Sequence, residues 1–182
     1  MITRGFTKGD AVSEAVYSDC ARYRYLLTRV WAPGPRALFV MLNPSTATEV
    51  QNDPTVERCE RRARALGFGA FRVTNIFAFR ATDPQVMRAE ADPVGPGNDA
   101  AIAESAVWAD AIICAWGNHG LHLGRGAAVA ALLRQRLQHQ KLGGQKLDGG
   151  LRRGLLHLGL TGQGQPRHPL YVSYDQQPEV WA

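Results

Sequence analysis

Residues Leu38-Phe39-Val40-Met41-Leu42 form an unbroken apolar run that stops at Asn43-Pro44-Ser45-Thr46. A strand with one wet face alternates apolar and polar side chains. Five apolar residues in succession need cover on both faces. The chain must therefore build a sheet packed on two sides, and the run predicts a strand inside a parallel sheet. Its polar stop matters equally, because in open α/β sheets ligands bind just beyond the carboxyl ends of the strands. Asn43 and its neighbours are expected at the floor of a site.

Other segments extend this pattern. Tyr23 to Trp31 is rich in β-formers and reads as a first strand, followed by an Ala32-Pro33-Gly34-Pro35 turn. Asp53-Pro54 has the chemistry of a helix start, with Asp as N-cap and Pro at the first helical position. Val56, Cys59, Ala63 and Leu66 then recur at helical spacing, and Gly67 ends the helix. Its outer face carries Arg58, Arg61, Arg62 and Arg64. Phe71 to Phe77 predicts a strand ending near Asn75, and Ala111 to Trp116 another that stops at Gly117-Asn118. The proline-rich stretch from Arg80 to Pro96 has room for one short helix. Asn98 or Asp99 can cap a helix reaching Ala109, and Val129, Leu132, Leu133 and Leu137 mark a further one. The segment Gly143–Gly154 is glycine-rich and basic and reads as a flexible loop, and Leu156 to Leu160 reads as a late strand. Strands alternating with helices imply an α/β fold with a mostly parallel sheet, in one domain spanning residues 1–182.

Composition narrows the function classes. No stretch of 18 or more apolar residues is present, so no transmembrane helix and no membrane partner are expected. The first residues lack an apolar signal core, which predicts a cytoplasmic protein. Cys20, Cys59 and Cys114 are widely spaced, with no zinc or iron–sulfur framework, so no metal and no cofactor are expected. The net charge is +5 and nearly all of the cations are Arg. Arg forks onto phosphates, which favours a nucleic-acid or phosphorylated partner. High-GC coding produces the same bias.

Three apolar strands end in polar or glycine turns: Asn43-Pro44-Ser45, Thr74-Asn75 and Trp116-Gly117-Asn118. In a parallel sheet these ends share one edge, and Arg167-His168-Pro169 follows the last strand. Two amides, a hydroxyl, an imidazole and a guanidinium would then surround one crevice. An Asn amide offers donor and acceptor together and can read a nucleobase edge. Its carbonyl can orient a water, and a histidine can donate to an oxygen that gains negative charge. Each member alone has a plain structural use as a turn, a strand end, a cap or a core side chain. Their convergence on one edge is what points to a site.

The stretch from Tyr23 to Tyr171 resembles bacterial domain-of-unknown-function family 1643 (DUF1643). The resemblance is carried by Met41-Leu42-Asn43-Pro44-Ser45-Thr46-Ala47, Asp53-Pro54-Thr55, Asn75 to Pro84, Asp92 to Pro96, Ala115-Trp116-Gly117 and Pro166 to Tyr171. A more remote resemblance is to the uracil-DNA glycosylase superfamily. Its Gly-x-Asn-Pro motif is similar to Met41 to Pro44, its base-reading asparagine to Asn75, its strand-end glycine to Gly117 and its His-Pro motif to His168-Pro169, in the same order. Met41 stands where that superfamily has glycine, and Leu170 where it has serine.

The resemblance implies a three-layer α/β/α sandwich around a mostly parallel four-stranded central sheet, uracil-DNA glycosylase-like. It implies Asn43 and His168 as catalytic residues of an N-glycosylase, a hydrolase acting on DNA. Asn43 would hold the water and His168 would support the departing base. Asn75, Phe77, Trp116 and Gly117 would bind the base; Ser45, Thr46, Arg80 and Arg167, with the arginine face of the first helix, would hold phosphates. Two alternatives stand beside it: a non-catalytic nucleobase or nucleic-acid binding module, and an enzyme acting on a nucleotide or other small phosphorylated metabolite.

Overall fold

The structure is a computed structural model that describes residues 1–141 and 154–181. The Gly143–Gly154 segment, apart from its last residue, lies outside the described residues. The described residues form eight strands: β1 Ile2–Lys8, β2 Ala11–Tyr17, β3 Arg24–Val30, β4 Arg36–Met41, β5 Ala70–Asn75, β6 Ala111–Ala115, β7 Leu155–His157 and β8 Glu179–Val180. Among the described residues four α-helices accompany them: α1 Pro54–Ala65, α2 Pro84–Ala89, α3 Asn98–Trp108 and α4 Arg125–Lys141. None of the described helices is long and apolar enough to cross a membrane.

All eight strands join one sheet in the order β1-β2-β3-β5-β4-β6-β7-β8. The expected four-stranded, mostly parallel, glycosylase-like sheet is therefore incorrect. The sheet is mixed, and four of its seven pairings are antiparallel. Parallel pairing is confined to β5, β4, β6 and β7 in the middle. The error has a physical origin. The β1–β2 hairpin turns at Gly9-Asp10, and every residue of β1 except Lys8 is exposed. An edge strand with no buried face leaves no apolar pattern to read. In β2 the buried positions are Ala11, Ser13, Ala15 and Tyr17, small or polar residues for the most part. The β3 strand was expected, but its antiparallel seat against β5 depends on long-range pairing.

The Leu38–Leu42 run lies at the centre of the sheet. Phe39 and Met41 face α1 together with Val56, Cys59 and Ala63, whereas Leu38, Val40 and Leu42 face α3 and α4 together with Ile102, Val129 and Leu133. Each side chain of the run is at most 5% exposed. At roughly 1.5–3 kcal/mol per fully buried large apolar side chain, this strand is a major source of stability and fixes where β4 must end. Asp53 caps α1 as expected, its Oδ1 accepting from Val56 N at 2.9 Å. The cap of α3 is Gly97, in a left-handed conformation with φ +82, in place of Asn98 or Asp99. Asn98 turns inward, and its Nδ2 donates to the carbonyls of Asn75 and Ile76.

Candidate functional site

The carboxyl ends of β4 and β6, the start of α1 and the turn after β7 enclose a cleft of about 670 Å³. That volume suits a small-molecule ligand, for which clefts of roughly 300–1,000 Å³ are usual. One wall, the near wall, runs from Asn43 through Ser45 and Thr46 to Asp53 and Thr55. The far wall comprises Trp116 to His119, Thr161 and Arg167 to Tyr171; Arg24 and Met41 form the floor.

Asn43 sits immediately after β4, where the buried run gives way to the loop. Its Nδ2 donates to the carbonyls of Ala81 at 2.7 Å and Pro44 at 3.1 Å. Only an NH₂ group can face two carbonyl oxygens, so the amide orientation is fixed. The Asn43 Oδ1 is left without a partner among the described residues, and Asn43 lines the cleft.

His168 opposes this with the reverse polarity. Its Nδ1 accepts from Leu170 N at 3.4 Å, which places the ring proton on Nε2. Burial pushes the imidazole pKa down to about 4, partly opposed by the Asp53 charge. The ring is therefore neutral near pH 7, and Nε2–H is a donor with no partner among the described residues. The adjoining backbone is held by Gly117, whose N donates to Pro166 O at 2.7 Å. Gly117 adopts φ +68 and ψ −169, a conformation open essentially only to glycine.

Asp53 faces the cleft while capping α1, and its Oδ2 also accepts from Ala47 N at 3.3 Å. Two main-chain donors thus hold its carboxylate in place. Behind it lies Arg24, which is 1% exposed. A register slip brings Arg24 there: Val16 pairs with Leu26 but Tyr17 pairs with Arg24, leaving Tyr25 as an extra residue. Without the slip Arg24 would share the face of Leu26 and Thr28. The bulge turns it to the face of Tyr17 and Leu27, under the 43–53 loop. There Nη1 donates to Ala47 O at 2.7 Å, and Nη2 approaches Asn75 Oδ1 at 3.5 Å. Its Nε has no partner, and burial lowers its pKa to about 10.

The structure brings together seven of the residues expected at the site: Asn43, Ser45, Thr46, Trp116, Gly117, Arg167 and His168 all line the cleft. Trp116 does so from the core. It is 1% exposed, its Nε1 donates to Gln165 Oε1 at 3.1 Å, and Gly120 and Gly126 pack against its ring. Asn75, Phe77 and Arg80 do not line the cleft. Asn75 is buried behind Arg24, with its Nδ2 unpartnered. Phe77 is buried in the α3–α4 core, its ring 5.6 Å from that of His122. Arg80 lines a second hollow next to Ser45.

The arginine face of α1 does not offer free cations. Arg58 donates to the carbonyls of Pro169 and Val172, and Arg62 to those of Ser173, Tyr174 and Gln176. Arg61 pairs with Glu57, and Arg64 with Asp10 and Glu60. These arginines strap the C-terminal segment to the helix and close surface ion pairs. Arg167 differs: its Nε donates to Leu160 O at 3.0 Å, while its terminal nitrogens have no partner among the described residues.

Sequence reasoning missed Arg24, Thr161 and Tyr171, and it preferred a cap to a catalytic group for Asp53, which caps α1 and also lines the cleft. For Asp53 a signal existed, because Asp53-Pro54 follows the Asn43-Pro44-Ser45-Thr46 turn by only a few residues. For Arg24 there was none, since a bulge is set by pairing. Among the described residues no three His, Cys, Asp or Glu side chains cluster as metal ligands. Cys59 and Cys114 are buried, and burial raises both thiols well above their usual range.

A family model described as "Protein of unknown function (DUF1643)" matches residues 24–170. No curated protein and no solved structure matches the chain.

Proposed function

As the chain belongs to the DUF1643 family, whose description states no activity, we propose from the site's own chemistry that the cleft binds a nucleobase-bearing ligand and hydrolyses its N-glycosidic bond. One observation carries this. Asn43 and His168 line the same cleft, each with its polarity fixed by main-chain partners, one leaving a free acceptor and the other a free neutral donor. Asn43 Oδ1 orients a water toward C1′. The C1′–N bond breaks with its electron pair going to the base, and His168 Nε2–H donates to the base oxygen that gains negative charge. Water oxygen bonds C1′, and the proton it sheds passes to the departed base. The fixed Asp53 carboxylate offsets the positive charge that develops on the sugar.

The exhaustion of the α1 arginines supports a nucleotide-sized ligand over duplex DNA, because much of the Arg surplus is spent inside the molecule. One observation favours a base carried in single-stranded nucleic acid: Tyr171, 80% exposed, and Arg167 line the same cleft. An exposed aromatic and a guanidinium with free terminal nitrogens on one cleft suit base stacking and a backbone phosphate.

The test is base release from a panel of nucleosides, nucleotides and single-stranded oligonucleotides with normal and modified bases. Asn43→Ala and His168→Ala are each expected to lower kcat by about 100-fold, in line with loss of an oriented water or an oxyanion donor. Because His168 works as a neutral donor, the rate should hold constant as pH falls from 8 to 5. If no base is released and no base-bearing ligand binds, the proposal is wrong. Release from oligonucleotides alone, with strong salt dependence, would identify the nucleic-acid ligand instead.

A further inference from the structure

Resting on that reading, the geometry points to a phosphate subsite beside the cleft: the hollow at Arg80 receives a phosphate monoester of the same nucleobase-bearing ligand. This hollow has a volume of about 380 Å³ and shares Ser45, Ala81 and Thr82 with the main cleft. A ligand lying across Ser45 therefore reaches both spaces.

Arg80 is the cation of this hollow. Its Nη1 donates to Ala21 O at 3.1 Å, and its guanidinium lies 5.3 Å from the centre of the Tyr17 ring. Its Nε is buried with no partner, and no carboxylate pairs with it among the described residues. Arg22, on the same hollow, is already neutralised by Glu90 at 2.7 Å. The difference between these two arginines is informative. A partly buried guanidinium without a counter-charge costs stability unless an anion completes it. The Ser45 and Thr82 hydroxyls on the shared ridge also have no hydrogen-bond partner among the described residues. One guanidinium and two hydroxyls supply donors for a group with three terminal oxygens, which a phosphate monoester has and a carboxylate lacks.

Calorimetric titration of matched nucleosides, their 5′-monophosphates and inorganic phosphate, at fixed ionic strength, tests the inference. The monophosphate is expected to bind about tenfold more tightly than its nucleoside, a ratio typical of one charge-assisted contact set. In Arg80→Ala that ratio should fall to near one. Arg80→Lys, which keeps the charge and loses the fork, should give an intermediate ratio and guards against misfolding of the alanine variant. Equal binding of nucleoside and monophosphate, or a ratio that survives Arg80→Ala in a folded protein, overturns the inference and leaves the nucleobase reading intact. Arg80-dependent binding of inorganic phosphate with no binding of any nucleoside supports the subsite and removes the nucleobase reading. A 5′-phosphorylated oligonucleotide titrated in parallel tells a free nucleotide from a strand end as the source of the phosphate.

Discussion

On the near wall of the cleft, the main-chain carbonyls of Ala47 and Thr48 are held by guanidinium groups that rise from β3 beneath them; on the far wall, the turns that follow β6 and β7 hold each other, Thr161 to Asn118 and Gly117 to Pro166. Arg24 reaches Ala47, while Arg29 reaches Thr48 at 2.7 Å and Asn52 at 3.1 Å. Both arginines are at most 1% exposed. Across the cleft, Thr161 Oγ1 donates to Asn118 Oδ1 at 2.6 Å, Thr161 N donates to Gln165 O at 2.8 Å and Gly117 N to Pro166 O. The near wall is thus built by buried charged side chains that reach from the sheet to the loop above it. The far wall depends on neutral bonds between two turns far apart in sequence and on one glycine conformation. The proposed acceptor, Asn43, belongs to the wall braced from below, and the donor, His168, to the wall braced by turns.

The largest effect should come from Arg29→Met. It removes four hydrogen bonds, to Ser13, Thr28, Thr48 and Asn52, and leaves buried acceptors unpaired. A loss of about 3–4 kcal/mol is expected in chemical denaturation. A loss below about 1 kcal/mol would show that the near wall does not need its brace.

Acid should act next, and on the far wall. The folded His168 pKa of about 4 lies below the ordinary histidine value of 6.5. Between these values the unfolded chain takes up a proton that the folded protein does not. Stability is therefore retained above about pH 6.5, falls as pH drops toward 4, and levels below that. Its contribution over this window is roughly 3 kcal/mol. His168→Asn should flatten that part of the stability–pH curve; an unchanged slope would mean that the ring is not held neutral by its burial.

Gly117→Ala tests the glycine on the same wall. The added Cβ would sit 3.8 Å from His168 Cβ, an ordinary contact, so the cost is that of the backbone conformation. About 1–3 kcal/mol is expected, together with weaker ligand binding as His168 shifts. Stability equal to that of the parent protein would remove strain from the account.

Arg24→Met should have the smallest effect on stability, within about 1 kcal/mol, because Arg24 makes fewer hydrogen bonds than Arg29 and carries the desolvation cost of a buried charge. If it destabilises as much as Arg29→Met, the two arginines are equivalent braces and Arg24 has no special tie to the cleft.

Much of the framework can be traced to residues. The Leu38–Leu42 run, the Asp53-Pro54 helix start and the apolar Ala111–Ala115 segment each encode their element through side-chain burial or capping, and each appears where expected. The same logic brings Asn43, Gly117 and His168 to one edge, because strands buried on both faces must end where the chain turns polar. The β1–β2 hairpin was not legible, since an exposed edge strand needs no apolar code. Nor was the fate of Asn75: nothing at a strand end tells whether its amide faces a cleft or, as here, lies behind a buried arginine.

By itself, then, the sequence determined where the central strands lie and which polar turns follow them, because burial on both faces tolerates only an apolar run. Tertiary structure alone decided that the sheet is mixed and eight-stranded, that the arginines of α1 are spent on carbonyls and surface acids, and that Arg24 lies beneath the cleft. Those outcomes depend on strand register and on the bulge at Tyr25, where one extra residue reverses the face of a side chain and leaves no trace in local composition.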